Sequence, residues 1–251
     1  MSLGEVTLIA LAGVGAGLTG SIAGLASLVS YPALLATGLP PFAANVTNTT
    51  ALMGNAVGTT LGSRRELVGQ WPRLRTLILL AAGGGSVGAG LLLVTDPSVF
   101  EAVVPWLVAF GALLLLLRDR LRAWSAARRK NARPVPAWTA HLVVVAVGIY
   151  GGYFGAGAGI IMLAVLALRT TEPLAVTNAV KNVATSSANL VAAAAYAVFA
   201  PVDWQAVLAL GTGALLGGWV GPQVVRALPE RPLRLAVGAT GLGLAAYLFV
   251  I

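Results

Sequence analysis

The sequence predicts an all-α polytopic membrane protein of two inverted repeats, each with a broken or re-entrant glycine-rich opening segment followed by three transmembrane helices. Composition is the first reason: of 251 residues, 58% are hydrophobic and only 10% are charged, and the mean hydropathy is +0.88. Soluble domains carry about 25% charged residues. Several apolar runs also exceed the roughly 18 residues that indicate a spanning helix. The third reason is internal repetition.

The chain contains two copies of one unit, because polar and glycine positions return in the same order. Val46-Thr47-Asn48 returns as Val176-Thr177-Asn178. The other repeated positions are Gly13, Gly17, Gly20 and Gly24, which recur as Gly148, Gly152, Gly155 and Gly159, and Trp71, Gly84, Gly85 and Gly88, which recur as Trp204, Gly217, Gly218 and Gly221. A duplicated membrane unit with polar positions at matching depth is typical of secondary transporters.

Each half divides into four apolar segments, and a stretch rich in Arg and Pro separates the halves. The first four segments are Val6–Thr37, Phe42–Gly62, Leu74–Val94 and Val99–Leu117. The second four are Trp138–Leu168, Leu174–Ala200, Trp204–Val225 and Leu233–Ile251. The predicted organisation is therefore a first membrane repeat over 1–117, a basic cytoplasmic linker over 118–136, and a second membrane repeat over 137–251.

The opening segment of each half is too long for one span and too short for two. It runs to about thirty residues, whereas one span needs about 20. It is also rich in glycine, which weakens helices. These features predict a broken helix or a re-entrant hairpin, with non-helical backbone buried in protein or lining a wet cavity.

The arginines decide how the repeats are oriented. If each opening segment crossed once, Arg226, Arg231 and Arg234 would lie outside, against the positive-inside rule. If each segment dips in and returns, or crosses twice with short legs, the repeats are inverted. Fifteen of the sixteen basic residues then lie on the cytoplasmic side. The sequence thus predicts inverted repeats with both termini outside.

The sixteenth basic residue, Lys181, is the leading candidate for a substrate-binding residue. It lies within the sixth apolar segment, beside Asn178 and Asn182. A charge at mid-membrane costs roughly 2.5–3.5 kcal/mol on insertion scales, and no acidic residue lies within two helical turns. A fixed positive charge among amide and hydroxyl donors suits a small oxyanion. The alternative is that Lys181 snorkels to an interface near Glu172.

The first half supplies matching polar residues without a matching charge. Asn48 is the counterpart of Asn178 in the repeat, while Ala51 stands at the position of Lys181. We expect Asn48, Thr47 and Thr177 to bind substrate, although Asn and Thr also commonly hold membrane helices together. Helix packing is the expected role of a further set of amides, Asn45, Asn55 and Asn189.

The two glycine tracts are expected to shape the binding site. Within the second tract, Gly155, Gly157 and Gly159 would let the backbone turn sharply and approach a ligand, and a helix starting there would aim its positive end at an anion. Glycine also allows close packing of membrane helices. That packing role is expected of the remaining glycine groups, Gly83-Gly84-Gly85 with Gly88 and Gly217-Gly218 with Gly221.

Several function classes are excluded or disfavoured. The chain has no cysteine, so it can form no disulfide and no thiolate metal site. Its glycine-rich strings do not follow strands, which excludes nucleotide-binding motifs. No nucleophile–base set or metal cluster is visible, so an enzyme is disfavoured and no cofactor is assigned. The net charge of +8 comes from short basic stretches rather than one folded face, so no nucleic-acid partner is expected.

The glycine-rich opener, Pro32, the following short proline-containing turn and the helix rich in Ala, Asn and Thr resemble the TauE/SafE sulfite exporter family. The second copy, Gly148 to Gly159 followed by Pro173 and Asn178, is similar to the same pattern. One departure is Gly20-Ser21-Ile22-Ala23-Gly24, where the family tends to show consecutive glycines. Direct backbone contact with substrate is therefore less expected there than at Gly155–Gly159.

The resemblance implies transport of small sulfur-containing anions such as sulfite, thiosulfate or organosulfonates. The expectation is a secondary transporter that exports such an anion, for example sulfoacetate or sulfite, across a bacterial inner membrane. The expected partners are the small anionic substrate and the lipid bilayer, and a homo-oligomer is left open. The alternatives are a passive anion channel, a transporter of a non-sulfur organic anion, and a membrane subunit with only an assembly role.

Overall fold

The computed structural model describes residues 1–131, 136–170, 172–224, 245, 246 and 248. In these residues the chain forms ten helices: α1 Leu3–Ala23, α2 Ala26–Ala36, α3 Pro41–Ala51, α4 Met53–Gly62, α5 Trp71–Val94, α6 Pro97–Asn131, α7 Ala137–Tyr153, α8 Ala158–Ala167, α9 Leu174–Phe199 and α10 Trp204–Val224. The all-helical class predicted from the sequence is confirmed. The predicted last segment lies outside the described residues except at Ala245, Ala246 and Leu248.

Both opening segments are broken helices, as the sequence predicts. Gly24 ends α1 in the left-handed conformation with φ 72°, and α2 then packs back along α1. The second break contains Gly155 and Gly157, with φ of 80° and 79°. Because α2 has 11 residues and α8 has 10, each is only about 15 Å long, half of the roughly 30 Å hydrocarbon core.

Two boundaries differ from the sequence prediction. The second segment of the first half is interrupted at Leu52, between α3 and α4, whereas its counterpart α9 is continuous. The apolar segment predicted to end at Leu117 belongs to a longer helix, since α6 continues to Asn131; the linker role of 118–136 stays a prediction. Leu, Arg and Ala are strong helix formers, so this helix does not end where its hydrophobic pattern ends.

The two repeats interleave, and their most extensive contacts join one repeat to the other. The helix α1 packs chiefly on α10, and α5 packs on α7; the next most extensive pairs are α4 with α10 and α5 with α9. Each of these pairs takes one helix from each half of the chain. Within the described residues, neither repeat therefore forms a separate bundle.

Glycines make the closest of these approaches. A Cβ at Gly17 of α1 would lie 2.5 Å from the Gly218 nitrogen of α10, and one at Gly88 of α5 would lie 2.9 Å from the Tyr153 nitrogen of α7. The packing role expected of Gly88 and Gly218 is confirmed. That expected of Gly83 is wrong, since a Cβ there would meet nothing within 4 Å.

Contacts between distant parts of the chain show which turns share an end of the bundle. At one end the Met1 amino group hydrogen-bonds Gln205 Oε1 at 3.4 Å, and Phe42 packs edge-on against Phe100. At the other end Arg73 and Arg169 line one cleft. This grouping agrees with the arrangement predicted from charge, although the inverted orientation of the repeats stays a prediction.

Three described helical stretches are long and apolar enough to cross a membrane by length and composition: Leu3–Ile22, Trp71–Val94 and Pro97–Leu117. Large apolar side chains are exposed along the outside of the bundle, among them Leu79, Trp106 and Leu208. An exposed apolar surface of this kind is suited to lipid rather than to water. The fold is that of a multi-pass membrane protein.

Candidate functional site

The two helix breaks meet, and glycines at equivalent positions of the repeats touch there. A Cβ on Gly24 would lie 2.6 Å from the Cα of Gly159, and a Cβ on Gly159 would lie 2.6 Å from the Cα of Gly24. Nearby, Phe154 of the second break packs edge-on against Tyr31 of α2, with ring centroids 5.4 Å apart. Only residues without a side chain allow this contact between the breaks.

A cavity of about 50 Å³ lies beside this contact. Its walls come from both breaks and from α4, α5, α7 and α9. The polar residues that line it are Ser27, Asn55, Thr59, Asn182, Thr185, Ser186 and Asn189. A water molecule needs about 10–15 Å³ of such space, so the cavity has room for roughly three to five waters or a small solute of that size.

Two glycines leave the space that the Asn55 side chain occupies. Its Nδ2 atom would lie 2.8 Å from a Cβ at Gly20 of α1, and its Oδ1 atom 2.8 Å from a Cβ at Gly218 of α10. The Oδ1 atom is buried and has no hydrogen-bond partner in the described part of the chain. Such a group costs about 1–3 kcal/mol, which points to a role other than stability.

Two short helices begin at the cavity wall. Gly24, Ala26 and Ser27 line it at the start of α2, and Ala158 and Gly159 line it at the start of α8. Helix N-termini carry partial positive charge and exposed N–H groups. The last turns of α1 and α7 reach the same wall at Gly20 and Gly151 and carry the opposite partial charge. The feature that favours an anion is therefore the exposed N–H groups at the starts of α2 and α8 rather than a net helix potential.

Lys181 is completely buried, with 0% of its surface exposed. It precedes Thr185 by one turn of α9, and the Thr185 hydroxyl donates to the Lys181 carbonyl oxygen at 3.0 Å. Thr185 lines the cavity, whereas Lys181 is not among the lining residues. The alternative considered for Lys181, that it snorkels to an interface, does not agree with this complete burial.

The side-chain amides of Asn178 and Asn182 donate hydrogen bonds to the backbone of the first break. Both Nδ2 atoms donate to the Ser21 carbonyl oxygen, at 2.7 Å and 3.1 Å. Carbonyls in the last turn of a helix lack intrahelical donors, so these two bonds satisfy an acceptor at the end of α1. Asn182 also lines the cavity, and Asn178 does not.

The remaining predicted binding residues make structural contacts. Asn48 donates to Ser27 Oγ at 3.2 Å and accepts a bond from Ser30. Thr47 accepts from the Asp203 N–H at 3.0 Å, and Thr177 donates to the Pro173 carbonyl. Gly157 faces α6, where its Cβ would lie 3.3 Å from Gly111.

The structure therefore brings three of the predicted residues to the cavity and leaves six outside its wall. Asn182, Gly155 and Gly159 line it. Substrate contact by those outside the wall stays a prediction: Lys181, Asn48, Asn178, Thr47, Thr177 and Gly157.

Asn55 and Asn189, for which the sequence predicts a role in helix packing, both line the cavity. Each lies near the opening helix of its own repeat, Asn55 beside Gly20 and Asn189 beside Gly151. A signal for this pair was present in the sequence. The glycine tracts repeat at a separation of 135 residues and Asn55 and Asn189 are 134 apart, whereas Asn48 and Asn178 are 130 apart.

Comparisons with known proteins agree with this architecture. The family model described as sulfite exporter TauE/SafE matches residues 9–248. A probable membrane transporter protein of Sinorhizobium is 30% identical over 84% of this chain and 80% of its own length. One of Haemophilus influenzae is 28% identical over 82% of this chain and 79% of its own, and one of Escherichia coli is 26% identical over 87% and 80%.

No solved structure is significantly similar to this chain. The family description and the names of the relatives indicate transport rather than enzymatic catalysis. Secondary transporters typically have broken helices and a binding site between their repeats. The broken helices, the polar cavity between the repeats and the apolar exterior of this chain agree with such a role. The chain belongs to the sulfite exporter TauE/SafE family and is a membrane transporter.

Proposed function

We propose that this transporter exports a small sulfur-containing anion, such as sulfoacetate or sulfite, across the bacterial inner membrane. The observation that carries the proposal is the polar cavity at the contact between the two helix breaks. Transporters of known type bind substrate at discontinuous helices between their repeats. The sulfur in the substrate rests on the family description, since the cavity by itself selects only charge and size.

The size of the cavity limits the substrate class. Ligand pockets for larger organic molecules occupy about 300–1,000 Å³, whereas this cavity measures about 50 Å³. A small compact oxyanion fits such a space, and a large organic acid does not. Donors for its oxygens are available from the amides of Asn55, Asn182 and Asn189 and from the hydroxyls of Ser27 and Ser186.

In this proposal, helix N–H groups at the cavity wall and one buried lysine nearby select an anion. Two helix N-termini reach the cavity wall, and Lys181 is buried one turn away on α9. In this proposal the Lys181 ammonium neutralises the substrate from behind Thr185, and a small rearrangement of α9 brings the two into contact. A buried ammonium near an anion is stabilised by it, because both are removed from water.

The membrane potential drives export. With the repeats inverted and the basic residues on the cytoplasmic side, the anion leaves a compartment that is electrically negative. Each exported charge then gains about 2.3 kcal/mol per 100 mV. The glycines at the two breaks allow the surrounding helices to rock, which exposes the cavity to either side in turn.

Flux from proteoliposomes tests the proposal. Vesicles loaded with sulfoacetate, sulfite or acetate are compared for wild type, Lys181→Met and the control Arg75→Gln, which removes a positive charge from the exposed end of α5. We expect saturable flux of the sulfur anions, a loss of about tenfold or more in Lys181→Met, since bonds to charged groups contribute about 1.5–3 kcal/mol, and wild-type flux in the control.

Counterflow separates a carrier from a channel. Unlabelled anion on the far side accelerates labelled anion in a carrier that alternates between two states, and it does not do so in an open pore. Flux that never saturates and shows no counterflow would replace the carrier with the channel. Equal flux of acetate and sulfite would remove the preference for sulfur, and unchanged flux in Lys181→Met would remove Lys181 from the site.

A further inference from the structure

A second cavity lies at the end of the bundle where α5 and α7 begin and α8 ends. Its volume is about 340 Å³, and we refer to it as the basic cleft. Three basic side chains line it, Arg73, His141 and Arg169, together with Thr76. The remaining lining residues are apolar: Leu77, Ala140, Val144, Val165 and Leu166. No residue of the basic cleft lines the smaller cavity between the helix breaks.

Electrostatics make the basic cleft attractive to an anion. Arg73 is half-buried in the first turn of α5, and Arg169 lies just beyond α8. The N-termini of α5 and α7 add partial positive charge, while only the C-terminus of α8 adds a negative one. Glu172 attracts the Arg73 guanidinium and Arg169 repels it, so one acidic group offsets part of the charge of two arginines.

The apolar wall distinguishes the basic cleft from a site for a small hydrated anion. Leu77, Val144 and Leu166 lie one turn along their helices from Arg73, His141 and Arg169, on the side of the bundle interior. A ligand that fills the cleft must place a charged group at the rim and an apolar group deeper between the helices. Basic pockets between transmembrane helices are known to bind phospholipid headgroups.

We propose that the basic cleft binds an anionic phospholipid. The phosphate lies between Arg73 and Arg169, the Thr76 hydroxyl donates to one of its oxygens, and the first carbons of an acyl chain lie along Leu77, Val144 and Val165. Arginine pairs well with phosphate because its planar guanidinium donates two parallel hydrogen bonds. Since α5 belongs to the first repeat and α7 and α8 belong to the second, the lipid would join the two repeats.

Native mass spectrometry of the full chain tests this proposal. The protein is released from detergent with added phosphatidylglycerol, with zwitterionic phosphatidylcholine, or with soluble glycerol phosphate. We expect phosphatidylglycerol to bind at least tenfold more tightly than phosphatidylcholine, because each nearby arginine adds to the attraction of an anionic lipid. Glycerol phosphate should compete weakly, since it lacks the apolar part. Competition by glycerol phosphate at the affinity of the lipid would overturn the proposal in favour of a soluble-anion site.

Two double variants provide the matched comparison. Arg73→Gln with Arg169→Gln removes both arginines of the basic cleft, and Arg64→Gln with Arg65→Gln removes the same charge from the neighbouring loop. We expect the first to lose phosphatidylglycerol binding by tenfold or more and the second to keep it. Equal losses in both, or retention in the first, would contradict a specific site.

A third variant shows whether loss of lipid binding in the Gln variant comes from the lost charge or from misfolding. Arg73→Lys with Arg169→Lys keeps the charge, so it should restore thermal stabilisation by phosphatidylglycerol at least in part. If this variant folds normally and is not stabilised while wild type is, the paired hydrogen bonds that a guanidinium makes to phosphate are responsible for binding, as the proposal states. If wild type itself is not stabilised by the lipid, the proposal fails. Neither outcome depends on which anion the transporter carries.

Discussion

The two helix breaks occupy equivalent places in the repeats but are held by different groups. In the first break, the Ser21 carbonyl accepts hydrogen bonds from Asn178 and Asn182 of α9, in the opposite repeat. In the second, the carbonyl at the equivalent position, Ala156, accepts a bond of 2.6 Å from the Tyr150 hydroxyl of its own repeat. Both breaks leave a carbonyl oxygen that needs another donor, because carbonyls at the end of a helix have no donor within the helix.

This difference makes the centre of the protein asymmetric. The first break depends on the helix that carries Lys181, whereas the second is satisfied within its own opening segment. Movement of α9 would therefore change the first break more than the second. The two repeats have similar broken segments, but it is the Ser21 carbonyl of the first break that accepts hydrogen bonds from α9, the helix that carries the buried Lys181.

The largest expected effect comes from the contact between the breaks. Gly24→Ala should lower the free energy of unfolding by about 2–5 kcal/mol, since it adds left-handed strain to an overlap with Gly159. Gly38→Ala is the matched control: its φ is 85°, but a Cβ there meets nothing within 4 Å. It should lose only about 1–2 kcal/mol. Thermal unfolding in detergent gives both values, and equal losses would mean that the breaks do not touch.

The second prediction compares the groups that hold each break. Tyr150→Phe leaves the Ala156 carbonyl without its donor and should cost about 1–3 kcal/mol. Asn178→Ala or Asn182→Ala alone should cost less, because the other amide still bonds Ser21. The double variant should lose more than the sum of the single losses, as measured in a double-mutant cycle. Simple additivity would show that the two amides do not share the carbonyl.

The third prediction concerns the cavity rather than the breaks. Asn55→Leu keeps the volume and removes a buried Oδ1 that lacks a partner. Stability should stay within about 1 kcal/mol of wild type or rise, while anion flux from proteoliposomes falls. Asn45→Leu is the comparison: the Asn45 Oδ1 atom also lacks a partner in the described part of the chain, but its Nδ2 atom donates to the Tyr153 carbonyl at 3.0 Å, so its loss should reduce stability. A stability loss in Asn55→Leu equal to that in Asn45→Leu would indicate a packing role for both.

The smallest effect is expected at two threonines that the repeat places in register. Thr47→Val removes the acceptor of the Asp203 N–H and should cost about 1 kcal/mol. In the part of the chain that the structure describes, the Thr177 hydroxyl donates to the carbonyl of Pro173, the N-cap of its own helix, so the effect of Thr177→Val should stay within about 0.5 kcal/mol. Thermal unfolding of both variants measures the difference, and equal losses would show that the two threonines contribute equally to stability despite their different partners.

The sequence predicts the helix breaks better than it predicts which amides line the cavity. The breaks were predictable, because glycine is so concentrated in two segments of unsuitable length that a continuous helix is disfavoured. The sequence predicts helix packing for the cavity amides Asn55 and Asn189, because nothing local distinguishes an amide that faces a cavity from one that joins helices. Asn48 and Asn178 repeat in register, yet their side chains are turned to Ser27 and Ser21.

The sequence alone determined the helical membrane class, the duplication, the broken opening segments and a lone lysine among apolar residues. These follow from composition, periodicity and chain length, which act locally. Only the tertiary structure decided that the two breaks touch at Gly24 and Gly159, that α9 satisfies the end of α1, and that two amides from different repeats face one cavity. Such contacts join residues more than a hundred positions apart, and their pairing depends on how the helices interleave rather than on any property of the separate segments.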